Sequence, residues 1–250
     1  MGFLDRVFKV ISEADVLIEV IDARFSEETR NKEMERIVKN KNKKLIIAIN
    51  KADLVSKKFA LKTKKELAQD FPSIFVSSTK KQGISSLRRM LAIEAKNKKI
   101  KVGVLGYPNT GKSSVINALA GRKAARTSIT AGFTRGEQLI NLSKNIQLID
   151  SPGIIPFEEK NEAMLALVAA KSPSQVKDVL GVGEKIIEIL KEKNPEILKK
   201  KFGLIDLNRS PDELLEEIAF NKKKLLKQGI PDTNAVAKIL LLEWQKGRIK

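Results

Sequence analysis

A chain of 250 residues, 42% of them apolar, can build one large domain or one domain with a smaller companion; its net charge of +18 fits either a polyanionic partner (nucleic acid or an anionic membrane face) or a solvated, lysine-rich surface. The absence of cysteine excludes a disulfide framework, a thiolate metal site and a cysteine nucleophile. The absence of histidine excludes a histidine base and an imidazole ligand, so any hydrolysis rests on positioning and electrostatics.

In chain order, Phe3, Leu4, Val7, Phe8 and Ile11 recur at helical spacing over 2–13, while Asp5, Arg6 and Lys9 break any signal-peptide pattern. The sequence holds no run of about 18 apolar residues, the length that could span a membrane, so a soluble, cytoplasmic chain is expected. Residues 15–22 (DVLIEVID) form a near-continuous apolar run ending in an acid, as a buried parallel strand does. Further strands are expected at 44–49, 73–76 and 101–105, and helices at 29–40, 57–69, 84–95 and from 114. This alternation predicts an α/β domain with a mostly parallel sheet. Residues 122–136, polar and basic, read as a mobile loop, followed by strands at 137–141 and 146–150 around a turn at 143–145.

From residue 162 only helical periodicity remains, at 163–171, 183–193, 195–201, 211–227 and 232–246. Pro211 and Pro231 fall at helix starts, and Gly203 and Gly229 at helix stops. A boundary near 160 is therefore expected between an α/β domain, 1–159, and a small all-α domain, 160–250. The positive excess is concentrated in the first of these, with clusters at 39–44, 57–65 and 96–101.

Residues 106–113 read Gly-Tyr-Pro-Asn-Thr-Gly-Lys-Ser, the pattern G-x-x-x-x-G-K-[ST], set between the strand at 101–105 and a helix. Two glycines let the backbone wrap a polyphosphate with successive N–H groups turned inward, and the next helix presents its positive end to the same anion. Asn109, Thr110, Gly111, Lys112, Ser113 and Ser114 are the candidate phosphate-binding residues. Lys112 is expected to reach the β- and γ-phosphates and to act in catalysis, and the Ser113 hydroxyl to ligate Mg²⁺.

The base is read elsewhere. Asn50-Lys51-Ala52-Asp53 follows the strand at 44–49, and a carboxylate at Asp53 can accept from both guanine N1–H and the 2-amino group, a donor pair that adenine lacks. Asn50 is expected to hold the surrounding loops, and the Lys51 stem to pack over the base. Ser77, Ser78 and Thr79, after the strand at 73–76, are candidates for a second base-reading loop. Asp150-Ser151-Pro152-Gly153 ends a strand and fits a Mg²⁺ and γ-phosphate sensor, with Asp150 holding the metal through water and the Gly153 N–H meeting the γ-phosphate. Thr134 is the candidate to complete the Mg²⁺ shell, with Thr127, Ser128 and Thr130 as competitors.

A standard GTPase runs phosphate loop, switch threonine, DxxG, NKxD and then SAK. Here NKAD and SST precede the phosphate loop, TAGFT and DSPG. That order, with the opening ADVLIEVIDAR and the Trp244-Gln245-Lys246-Gly247 stretch near the end, resembles the circularly permuted GTPases of the YlqF/YawG type, linked to ribosome assembly. Two departures stand out: SST replaces SAK, and Ala131 stands where proline is usual. The resemblance implies a P-loop NTPase fold with a permuted sheet, GTP and GDP as ligands, Mg²⁺ as cofactor, and ribosomal RNA or a precursor of the large subunit as partner.

Ile154 stands where the familiar GTPases carry a water-orienting glutamine, so a slow intrinsic rate, raised by a partner, is expected. Asn109 occupies the position at which potassium-dependent GTPases ligate K⁺. Because DSPG leads directly into residues 160–250, nucleotide state is expected to bias that helical domain, which with the lysine clusters would dock on folded RNA through phosphate contacts. Aromatics are only 5% of the chain, which disfavours a stacking platform for single strands and makes Trp244 a core or interface residue. No DNA sequence specificity and a monomeric state are expected. The alternatives are a GTP switch acting on a protein effector, with the basic face merely solvated, and a P-loop ATPase or kinase in which NKAD is accidental.

Overall fold

The computed structural model describes residues 3–56, 60, 67, 70–96, 98–121, 138–151 and 161–249. The chain divides into two compact units, residues 1–159 and 160–250.

The first unit is built on a six-stranded sheet. Its elements are α1 (Phe3–Glu13), β1 (Val16–Asp22), α2 (Lys32–Asn40), β2 (Lys44–Asn50), β3 (Ser73–Phe75), α3 (Ile84–Ala95), β4 (Ile100–Leu105), α4 (Lys112–Ala120), β5 (Gln138–Asn141) and β6 (Ile146–Asp150). The strand order is β3-β2-β1-β4-β6-β5, with every neighbouring pair parallel except β5 with β6. All seven residues of β1 are buried, because helices cover both faces and each side chain must find an apolar layer. Val16, Ile18 and Val20 point to the layer made with Leu87 and Leu91 of α3 and Val115, Ile116 and Leu119 of α4. Leu17 points to the opposite layer, with Val7, Val10 and Ile11 of α1 and Met34 and Val38 of α2.

This topology positions the site. From β1 the chain builds outward through β2 and β3, then returns to β4 on the other side of β1. The adjacent parallel strands β1 and β4 thus diverge into loops at their carboxyl ends, the place where open α/β sheets bind ligands.

The second unit contains α5 (Glu162–Leu167), α6 (Val179–Lys193), α7 (Pro195–Phe202), α8 (Pro211–Asn221) and α9 (Thr233–Gln245). Ile186, Ile187 and Leu190 of α6, Leu214 and Ile218 of α8, and Ala237, Leu240 and Leu241 of α9 are all buried. Side-chain oxygens start the helices: Asn161 accepts from Met164 N–H, Asp178 from Gly181 N–H and Asp232 from Ala235 N–H, while Ser210 and Glu213 form a capping box ahead of Pro211. Trp244 is buried, its indole N–H donating to the Leu167 carbonyl at 3.1 Å, so it is a core residue.

Several boundaries differ from expectation. α2 starts at 32 because Asn31 accepts from Met34 N–H and caps the helix there. α6 begins four residues early, at the Asp178 cap. α5 stops at 167, where Ala169 adopts φ 61° and Ala170 N–H returns to the Leu165 carbonyl. α8 stops at 221, not 227. Lys223 turns left-handed, Lys224 N–H closes onto the Ala219 carbonyl, and Leu225 then pairs with Pro231. Most of the helix expected at 57–69, and all of the loop expected at 122–136, lie outside the described residues. No described helix is long and apolar enough to cross a membrane.

Candidate nucleotide site

The phosphate loop starts where β4 ends. Gly106 (φ 139°) passes so close to β1 that a Cβ would collide with the Val20 carbonyl oxygen, and Gly111 (φ 95°) leads into α4 with a Cβ position already filled by the Asn50 amide nitrogen. No other residue meets both requirements. Asn109 also takes a left-handed conformation, φ 59°. Alternation of handedness along such a turn directs successive N–H groups into one concavity, which is an anion nest. The Thr110 hydroxyl donates to the Tyr107 carbonyl at 3.0 Å and is fully buried, so it serves the loop itself. Ser114 sits half-buried in the first turn of α4.

Lys112 folds over this nest, its ammonium donating to the carbonyls of Gly106 at 3.1 Å and Tyr107 at 2.7 Å. Burial pushes the ammonium down to about 8, against the opposing pull of Asp150. A desolvated cation held by neutral carbonyls gains most by meeting a phosphate.

At the end of β6, Asp150 is 1% exposed and accepts from the Ser113 hydroxyl at 3.4 Å. Burial raises its carboxyl to about 6, with Lys112 and Ser113 pulling the other way. Its Oδ1 is buried without a hydrogen-bond partner. An orphaned carboxylate oxygen beside a serine hydroxyl, at the mouth of a phosphate nest, suits a hard divalent cation. Mg²⁺, which is held by one or two protein oxygens and completed by phosphates and water, would suit such a pair. Ser151 anchors the same strand end, donating from its hydroxyl to the Val104 carbonyl. Thr134 and Gly153 lie outside the described residues.

The base-reading segment leaves β2 beside this loop. Asn50 is 1% exposed; its amide nitrogen donates to the Thr110 carbonyl at 2.9 Å and its oxygen accepts from Ser78 N–H at 3.2 Å. One side chain thus ties the phosphate loop to the turn after β3. Ala52 N–H donates to the Val76 carbonyl at 3.1 Å and closes the same junction. Asp53 accepts from the Ser77 hydroxyl at 2.7 Å, and Ser77 in turn lies 3.1 Å from the exposed Thr79 hydroxyl and accepts from Lys80 N–H. Ser77 therefore orients Asp53, while the Ser78 N–H is already engaged by Asn50.

Asp22 and Arg24, beside this segment, belong to neither the base-reading nor the phosphate-binding motif. Asp22, at the end of β1 and paired in register with Asn50, is fully buried. It accepts from the Arg24 guanidinium at 3.1 and 2.8 Å, from Arg24 N–H at 3.0 Å and from the Lys51 ammonium at 2.7 Å. Burial works to raise its carboxyl, but Lys51 and Arg24 overcome this and hold it well below the usual carboxylate range. The acid closing the 15–22 run was the sequence signal for Asp22; nothing in the pattern indicated that Lys51 would turn toward it.

Two family models divide the chain: residues 1–97 match the elongation factor Tu GTP binding domain, and residues 101–209 match the 50S ribosome-binding GTPase family. An uncharacterized GTP-binding protein of Methanocaldococcus jannaschii is 39% identical over 246 residues, 97% of this chain and 65% of that protein. Nucleolar GTP-binding protein 2 of Yarrowia lipolytica is 36% identical over 98% of this chain and 49% of its own length. For nuclear/nucleolar GTPase 2 of Arabidopsis thaliana the figures are 34%, 98% and 43%. The chain thus spans between 43% and 65% of the length of these relatives. Among solved structures, GDP-bound YlqF superposes with a TM-score of 0.68 at 24% identity, covering 97% of this chain and 94% of that one. GNP-bound YlqF from T. maritima gives 0.67 at 23%, covering 98% and 94%. At such identities these two matches speak for the fold.

Proposed function

We propose that the chain is a circularly permuted, YlqF-like GTPase that binds GTP and GDP, hydrolyses GTP, and acts as a switch in assembly of the large ribosomal subunit through RNA contacts. The observation that carries the nucleotide part is the Asn50 clamp, which joins the guanine-reading segment, the phosphate loop and the turn after β3. Lys112 and the nest around Gly106 and Gly111 hold the phosphates, Asp53 reads the base with Ser77 behind it, and Ser113 and Asp150 hold Mg²⁺. That ion supplies positive charge to the β- and γ-phosphate oxygens when bound. Thr134 is assigned to the Mg²⁺ shell, Gly153 to the γ-phosphate through its N–H, and Asn109 to a K⁺.

With no histidine in the chain and Ile154 in place of a water-orienting side chain, hydrolysis rests on the positioning of phosphates and metal. The intrinsic rate is accordingly slow and partner-stimulated. The ribosomal part is supported by the net charge of +18 and by the descriptions of the relatives as ribosome-binding and nucleolar GTPases.

Co-sedimentation with ribosomal subunits, comparing a non-hydrolysable GTP analogue with GDP across a salt series, tests the whole reading. Binding to the large subunit should require the analogue and weaken steeply with salt. Absence of binding in both states removes the RNA assignment and favours a protein effector. One observation is on the effector's side: Leu225, Leu226 and Ile230 stand 45%, 54% and 53% exposed on the turn after α8.

A further inference from the structure

We propose that Asp22 is a positioning residue for guanine recognition, acting through Lys51. This rests on the guanine-nucleotide reading and adds to it the reason why the base-reading segment holds its shape before any ligand arrives.

Lys51 sits at φ 61°, a left-handed conformation that is unfavourable for a non-glycine residue. It therefore needs something to hold it there, and the pairing of its ammonium with Asp22 at 2.7 Å does so. Asp22 is in turn fixed through its carboxylate, its backbone and its register. Arg24 meets the carboxylate with a two-pronged guanidinium and with its own N–H. Asp22 N–H donates to the Thr29 hydroxyl at 2.9 Å, which itself donates to the Phe25 carbonyl. Parallel register sets Asp22 directly opposite Asn50.

A rigid anchor on the central strand thus fixes the aliphatic stem of Lys51, which stands between the clamp residue Asn50 and the 3₁₀ turn Ala52–Leu54 that carries Asp53. In such a setting the stem is a wall for a purine face, and its tether is internal to the protein. The competing account is that the Arg24–Asp22–Lys51 triad only stabilises the fold. The two accounts separate because a structural triad acts on phosphates and base alike, whereas a positioned stem acts on the base.

The test measures displacement of a fluorescent GDP analogue by GDP and by inorganic pyrophosphate. It uses the wild-type chain, Lys51→Met, Asp22→Asn and the double variant, each checked by thermal unfolding. Lys51→Met keeps the stem and cuts the tether without leaving a buried cation unpaired. Both single variants should weaken GDP roughly tenfold, the loss of one charge-assisted hydrogen bond. The double variant should be no weaker than Lys51→Met, and pyrophosphate should compete equally well in all four. Additive losses, an equal loss for pyrophosphate, or undiminished GDP affinity in Lys51→Met would each overturn the assignment. If Asp22→Asn does not fold, the Lys51→Met comparison of GDP with pyrophosphate decides alone. A wild-type chain that binds no GDP would remove the guanine-nucleotide function as well, an outcome distinct from those three.

Discussion

The Asn50 side-chain amide and the Thr110 carbonyl meet at 2.9 Å across 60 positions of sequence. Because the amide oxygen also accepts from Ser78 N–H, the site has one buried side chain common to its base-reading and phosphate-binding halves. Asn50→Ala would leave the Thr110 carbonyl and the Ser78 N–H unpaired, at about 1–3 kcal/mol for each group that stays buried. We expect a lower melting temperature without nucleotide and a GDP-induced rise in melting temperature that all but vanishes. A variant that melts early yet keeps the full GDP shift would reduce the clamp to a stability element.

Asp53, the proposed reader of the base, accepts from the Ser77 hydroxyl at 2.7 Å. Asp53→Asn exchanges an acceptor for a donor, which mismatches guanine N1–H and the 2-amino group. GDP should bind roughly 10- to 100-fold more weakly, as expected when buried hydrogen bonds are left unmade, and xanthosine diphosphate should bind better than GDP. Calorimetric titration with both nucleotides reads this directly. Unchanged preference for GDP would mean that the base is read elsewhere.

Glu19 lies in the middle of β1, where burial, reinforced by the neighbouring Glu35, raises its carboxyl to about 8. Its Oε1 accepts from Asn31 N–H at 2.7 Å, while its Oε2 has no hydrogen-bond partner. A folded-state value above the unfolded one means that the folded chain binds the extra proton between about pH 4.5 and 8. The stability contributed is therefore complete below that window and lost as pH rises through it. Glu19→Gln keeps the acceptor and cannot ionise. The variant should match the wild type near pH 5 and exceed it in melting temperature at pH 8.5; parallel melting curves across this range would show that Glu19 does not titrate in the fold.

Asn109 is left-handed, φ 59°, in the phosphate loop, and is the residue proposed to bind K⁺. Hydrolysis measured in KCl should exceed that in NaCl at equal ionic strength, and Asn109→Ala should abolish the difference while leaving the rate in NaCl nearly unchanged. Equal rates in the two salts would remove the cation from the mechanism.

Much of the site was readable before any coordinates, because its parts are local signatures: a strand, a glycine-rich turn and a helix at 101–120, and a strand ending in NKAD. The apolar run of β1 declared burial on both faces, as the sheet order requires. What escaped reading depends on contacts distant in sequence. Lys51 turns toward Asp22, 29 positions earlier, and not simply over a base. Glu19 looks like an interruption in an apolar strand until Arg30, Asn31 and Glu35 are brought around it. The end of α8 was missed for a local reason: Lys222, Lys223 and Lys224 have good helix propensity, and only the return of the chain, pairing Leu225 with Pro231, stops the helix at Asn221.

The order of strands also fixes the order in which a growing chain acquires its parts. β1, β2 and β3 emerge together and can pair at once, yet they leave the Val16–Glu19 side of β1 bare until β4, some eighty residues later, arrives to cover it. A parallel edge made of VLIE is an inviting template for a wrong strand. During synthesis the nascent half-sheet is thus both unable to hold nucleotide, lacking its phosphate loop, and exposed to mispairing.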